Sequence, residues 1–247
     1  MRLAAIANGN TAEYAQRTVI KLEETLFSHY HMAFTHLIKK EFDMAVLVSK
    51  QAPFFHDSKV FSAVLGDGSI VDDFSFQAAT QGKYAVVFFY PLDFTFVCPS
   101  EIIAFNNRLE EFKKRNVELI AVSIDSQFTH AAWRNTPVNA GGIGEVGFTM
   151  VADLCHEIAK AYDVESEGGV AFRGSFLIDK DGVVQHQVVN NLPLGRNVDE
   201  MLRMVDALQF TEEHGEVCPA GWNKGEKGMK ADAAGVASYL AEEADKL

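Results

Sequence analysis

Lys83–Tyr90 (KYAVVFFY) limits what this chain can fold into more than any other stretch. It is rich in β-branched and aromatic side chains, which marks a short strand buried on both faces. Such a strand must be covered by a layer on each side. Ser100–Arg115 follows with Ile102, Ile103, Phe105, Leu109 and Phe112 at helical spacing. Val117–Ile124 (VELIAVSI) is a second buried strand. Gln127–Asn135 and His156–Tyr162 read as short helices. Phe172–Asp179 and Val183–Asn190 flank Lys180-Asp181-Gly182, a hairpin turn. Asn197–Gln209 is an amphipathic helix with acids in its first turn, where the helix dipole favours them. Strand, helix and strand followed by a hairpin and a helix describe an α/β protein with a mixed sheet.

The chain is expected to divide at Met44. Residues 1–43 hold five basic and five acidic groups, so residues 44–247 carry the whole net charge of −12. Residues 1–43 are expected to be an N-terminal extension, partly helical between Tyr14 and Ile38. Residues 44–210 form the main domain, and 211–247 a C-terminal arm that closes with a helix from Ala231. The acidic balance disfavours nucleic acid and anionic membrane surfaces as partners. No run approaches the roughly 20 apolar residues that span a bilayer. Three cysteines are too few for a disulfide-stapled secreted scaffold. With no apolar block near the start, the chain reads as cytoplasmic. No CxxC pair, HExxH, P-loop or GxGxxG appears, so no metal or organic cofactor is expected.

Reactive chemistry concentrates at Cys98. The segment Pro91-Leu92-Asp93-Phe94-Thr95-Phe96-Val97-Cys98-Pro99-Ser100-Glu101 joins the first buried strand to a helix, so Cys98 falls where that helix begins. Free amides and the positive end of the helix dipole favour thiolate over thiol there. Thr95, three residues earlier, can point its hydroxyl at the same sulfur. Pro91 and Pro99 stiffen the flanks and remove competing backbone donors. Most cysteines are inert and buried, but a strand-to-helix turn is where α/β proteins place function.

PxxxTxxC after a strand (Pro91, Thr95, Cys98) resembles the active-site signature of peroxiredoxins. FFYPLDFTFVCPSE resembles the typical 2-Cys subfamily, which includes alkyl hydroperoxide reductase C components and thioredoxin peroxidases. The likeness runs from about Val46 onward through GGIG (141–144), AFRGSFLID (171–179), NNLPLGR (190–196) and HGEVCPAGW (214–222). It implies a thioredoxin-like fold, with a mixed central sheet flanked by helices and an extended C-terminal arm. It also implies that Cys98 is the peroxidatic cysteine, and that Thr95 and Arg173 bind and polarise the peroxide. Pro91 would shield the sulfur, and Glu101 and Arg196 would orient the site. Cys218 would be the resolving cysteine, with Trp133 and Trp222 as supporting aromatics. The implied reaction reduces hydrogen peroxide and organic hydroperoxides, and a dithiol protein (thioredoxin or a dedicated flavoprotein disulfide reductase) then restores the enzyme. Cys98 and Cys218 are 120 residues apart, and the residues alone leave open whether they pair within or between chains. The resemblance implies pairing between chains of a homodimer, five of which assemble into a decamer.

Three departures from the family pattern stand out. Residues 1–43 have no counterpart among the motifs. Cys155, amid apolar neighbours at a helix start, is expected to be structural. Tyr239-Leu240 stands where members sensitive to overoxidation carry Tyr-Phe, while GGIG is kept, so intermediate to high resistance to peroxide inactivation is expected. A redox-controlled holdase on the same scaffold is the other function class. Loss of peroxide consumption with retained client protection in Cys98→Ser would favour it.

Overall fold

The computed structural model describes residues 46–246, so the helix expected between Tyr14 and Ile38 lies outside the described residues. Seven strands form one mixed sheet: β1 (Phe61–Val64), β2 (Ile70–Phe74), β3 (Tyr84–Phe89), β4 (Val117–Ser123), β5 (Thr149–Ala152), β6 (Arg173–Ile178) and β7 (Val184–Asn190). Their order across the sheet is β2-β1-β5-β4-β3-β6-β7. β3, β4 and β5 run parallel. The remaining neighbours pair antiparallel. The helices are α1 (Phe76–Thr80), α2 (Cys98–Asn107), α3 (Leu109–Lys114), α4 (Gln127–Asn135), α5 (Glu157–Ala161), α6 (Val198–His214) and α7 (Ala233–Glu243).

Every residue of β3 is buried, as its composition requires. Side chains alternate across a strand, so β3 feeds two cores. Tyr84, Val86 and Phe88 join Ile102, Phe105, Phe112, Trp133 and Val205 on one face. Ala85, Val87 and Phe89 join Phe76, Ile158, Tyr162 and Phe176 on the other. The thioredoxin-like arrangement of a mixed sheet between helical layers is therefore the one observed.

Ser100–Arg115, expected as one helix, is two. Arg108 leaves helical geometry (φ −110°, ψ 7°) between α2 and α3, and its guanidinium reaches Asp199 on α6 at 2.8 Å. Ile102, Phe105, Leu109 and Phe112 are all buried across the break, so the apolar stripe does not register it. α6 continues five residues past Gln209 and stops at Gly215, whose φ of 65° suits glycine. The irregular arm begins there, with Val217 bridged to Met229. Cys155 is exposed, in the turn before α5. It cannot serve as a packed structural cysteine, because the apolar residues of α5 face the core while the turn faces solvent.

Candidate active site

Cys98 is the first residue of α2 and is fully buried. Val97, the residue before it, caps the helix with no side-chain hydrogen bond. The Thr95 hydroxyl lies 2.9 Å from the Cys98 Sγ and 2.8 Å from the Leu92 carbonyl. A hydroxyl has one proton, so it serves these two acceptors in turn. Facing a thiol it donates to Leu92, and facing a thiolate it donates to sulfur.

The sheet register brings the second donor. Ser175 pairs with Phe88, and Arg173 lies two residues earlier on the same face of β6. That face holds Cys98. Arg173 Nη1 donates to Sγ at 3.4 Å and to Glu101 Oε2 at 2.7 Å, while its Nε donates to the Leu192 carbonyl at 2.7 Å.

Glu101, one turn into α2, is gripped from the other side by Arg196. The Arg196 Nε donates to Oε1 at 2.8 Å and Nη2 to Oε2 at 2.9 Å, a bidentate fork completed by the Arg196 backbone amide at 2.9 Å. Arg196 also donates to the Gly174 carbonyl and the Ser175 hydroxyl. Its guanidinium lies 5.5 Å from the Phe88 ring centre. Burial pushes the Glu101 carboxyl up, but its bonds with Arg196 outweigh this and hold it below the ordinary value. Burial pulls the Arg173 guanidinium down, yet its contacts with Cys98 and Glu101 leave it above its ordinary value. Two buried guanidiniums and one buried carboxylate leave a single positive charge in excess. That excess lies beside the Cys98 sulfur, which Arg173 reaches at 3.4 Å.

The structure thus brings together Cys98, Thr95, Arg173, Glu101 and Arg196, with Pro91 buried at the end of β3. Trp133 supports the same region. Its Nε1 donates to the Gly141 carbonyl at 3.1 Å, and its ring lies 5.9 Å from Phe94 in the loop before Cys98. Cys218 and Trp222 are elsewhere. Cys218 Sγ donates to the Ala207 carbonyl at 3.5 Å, and Trp222 packs on Phe210 with ring centres 4.8 Å apart. Both contacts lie on the second half of α6. Ala207 is nine residues past the start of that helix, about 13 Å along its axis. Cys98 and Cys218 are both free thiols with separate partners.

Sequence reasoning missed the network that anchors the loop. Asp93 accepts from the Tyr90 hydroxyl at 2.8 Å, and its other oxygen lies 2.7 Å from the His130 Nδ1. The Asp93 amide donates to Asp125, which also accepts from Ser123. Burial pushes the Asp93 carboxyl up, and His130 draws it part of the way back. Asp93 stood inside the motif, but nothing in spacing links it to His130, 37 residues on.

Residues 49–187 match the model of the AhpC/TSA family, and residues 207–242 match that of the C-terminal domain of 1-Cys peroxiredoxin. Alkyl hydroperoxide reductase C of Helicobacter pylori is 55% identical over 202 residues, 82% of this chain and 100% of that protein. Human peroxiredoxin-4 is 48% identical over 201 residues, 81% of this chain and 70% of that protein. Among solved structures, the reduced 2-Cys peroxiredoxin of Plasmodium vivax superposes with a TM-score of 0.75 at 48% identity, covering 79% of this chain and 99% of that one.

Proposed function

Because this chain belongs to the AhpC/TSA family, as a typical 2-Cys peroxiredoxin and thiol-dependent peroxidase, we propose that Cys98 is its peroxidatic nucleophile and Cys218 its resolving thiol. The observation that carries the first assignment is the pair of donors, Thr95 and Arg173, aimed at one buried sulfur. The Cys98 thiolate attacks the nearer oxygen of the peroxide. The S–O bond forms as O–O breaks, and the far oxygen leaves as hydroxide or alkoxide and takes a proton. Negative charge moves along sulfur and two oxygens, so donors fixed along that line stabilise the transition state more than the ground state. Glu101 and Arg196 touch no reacting atom. They hold Arg173 on line.

Cys98 is left as a sulfenic acid. Cys218 attacks its sulfur, the disulfide forms, and the hydroxyl departs as water. A dithiol protein then reduces the disulfide by exchange. Thioredoxin and a dedicated flavoprotein disulfide reductase both supply that chemistry. Pairing between subunits of a homodimer is what the family likeness implies, and β7 at the edge of the seven-stranded sheet offers a strand for a second copy to meet. Further assembly of dimers into a decamer is what the family likeness implies. Tyr239 is buried while Leu240 is half exposed. With leucine at position 240 and GGIG kept, resistance to overoxidation is intermediate to high.

The test is electrophoresis without reductant after one equivalent of peroxide. Wild type should run as a crosslinked dimer, and Cys98→Ser and Cys218→Ser as monomers. A crosslink surviving in either variant would overturn the assignment of that cysteine.

A further inference from the structure

The arm carrying Cys218 does not hang free. It lies along one stripe of α6, formed by Arg203, Ala207, Phe210 and Thr211, in which Phe210 and Thr211 follow Ala207 by three and four residues and Ala207 follows Arg203 by four. At one end of this seat, Arg203 Nη1 donates to the Trp222 carbonyl at 2.8 Å. One turn further, Cys218 Sγ meets the Ala207 carbonyl at 3.5 Å and lies 3.8 Å from the Thr211 hydroxyl. Trp222 is buried against Phe210. Lys224 pairs with Asp206 at 3.2 Å.

Arg203 is the only cation on the stripe itself, and its own helix holds it. Its Nε and Nη2 fork onto the two oxygens of Glu200 at 2.7 Å each, an i,i+3 pair on the same helix. That leaves Nη1 aimed at the arm. We propose that Arg203 is a positioning residue for the resolving step, tethering the arm that carries Cys218 through the Trp222 carbonyl. The proposal rests on the reading of Cys218 as the resolving thiol. The Glu200 carboxylate strengthens the hold of Arg203 on its proton, so the tether to the arm is made by a charged donor.

The seat also accounts for how Cys218 waits. Its S–H rests on a carbonyl oxygen, a bond that only the protonated thiol makes. Resolution needs the thiolate, so the proton must leave, the Ala207 contact must break, and negative charge must form on sulfur. The new S–S bond then joins Cys98 to Cys218 as the sulfenic hydroxyl departs with a proton as water. The Arg203 tether limits how far the arm strays from its seat while this happens, so the thiol stays within range of its target.

The test separates the two half-reactions in the full chain. Reduced protein is mixed with one equivalent of hydrogen peroxide. Peroxide loss and disulfide formation are timed on the same samples by rapid quench, for wild type, Arg203→Met, Arg203→Lys and Cys218→Ser. Arg203→Met should form disulfide about tenfold or more slowly while consuming its first equivalent of peroxide at the wild-type rate. Its Cys98 should also accumulate sulfinic acid, a mass gain of two oxygens, at peroxide concentrations that leave wild type intact. Arg203→Lys, which keeps a charged donor for the Trp222 carbonyl, should recover most of the rate, and a fault in folding would not be rescued in that way. Disulfide formation at the wild-type rate in Arg203→Met, or equal slowing in both Arg203 variants, would overturn the proposal. Disulfide in Cys218→Ser would instead overturn the underlying assignment of Cys218, so the two failures are told apart.

Discussion

At the scale of single residues, the site is a matter of charge balance around one sulfur. Arg173 supplies both a donor and one of the two positive charges of which Glu101 cancels only one. Replacing it with glutamine should slow the first reaction with peroxide by about 10²–10³, the usual loss when an aimed donor is removed. Thr95→Val should also slow that step, whereas Thr95→Ser, which keeps the hydroxyl, should not. Stopped-flow peroxide consumption measures both. Glu101 offers a separate test through pH. Its folded value lies below the ordinary 4.5, so its contribution is fully present above that pH and is lost as pH falls through the lowered value. Glu101→Gln leaves two buried guanidiniums short of a counter-charge and should cost about 3 kcal/mol at pH 7. Urea unfolding should show that gap narrowing as pH drops below about 4.5; a gap that does not change with pH would contradict the charge role.

At the scale of elements, the strand-to-helix junction was legible because its parts carry local signals. β3 announces itself by composition, and the cysteine, threonine and prolines lie within a dozen residues. Arg173 and Arg196 were reached only through the family likeness, since a lone arginine on a strand or in a loop reads as surface. Their convergence on Glu101 is a product of sheet register, which no local pattern encodes. β1, β2, β5 and α1 span four or five residues each, too short for any periodicity to stand out. The Asp93–His130 pair was invisible because it joins a loop to α4 through space. The GGIG turn is where an element can be tested by packing. A Cβ on Gly142 would fall 1.9 Å from the Thr136 carbonyl oxygen, so the backbone there admits no side chain without moving. Gly142→Ala should lower stability by at least about 2 kcal/mol. In a chain of this size that is roughly 4–8 °C in Tm, read by calorimetry. An unchanged Tm would show that the turn yields freely.

At the scale of the molecule, the two cysteines have different surroundings. Cys98 is buried at the head of α2, and Cys218 rests on α6. A bond between them needs Sγ atoms about 2 Å apart, so Cys98 must leave its pocket and the first turn of α2 must open. Oxidation to the disulfide should therefore raise hydrogen exchange in residues 95–101 relative to the reduced protein, with β3 and β4 unchanged. Equal protection in both states would mean that the cysteines meet by another route.

The central claim is that one buried sulfur, flanked by two aimed donors and an excess positive charge, is what reduces peroxide. Single-turnover stopped-flow of the reduced protein against hydrogen peroxide at pH 7 tests it most directly, read through the fluorescence of Trp133 beside the Cys98 loop. Wild type should react at least about a thousandfold faster than free cysteine, from the combined effect of the two donors, and Cys98→Ser should not react. A wild-type rate equal to that of free cysteine, or peroxide consumption that persists without Cys98, would contradict the account.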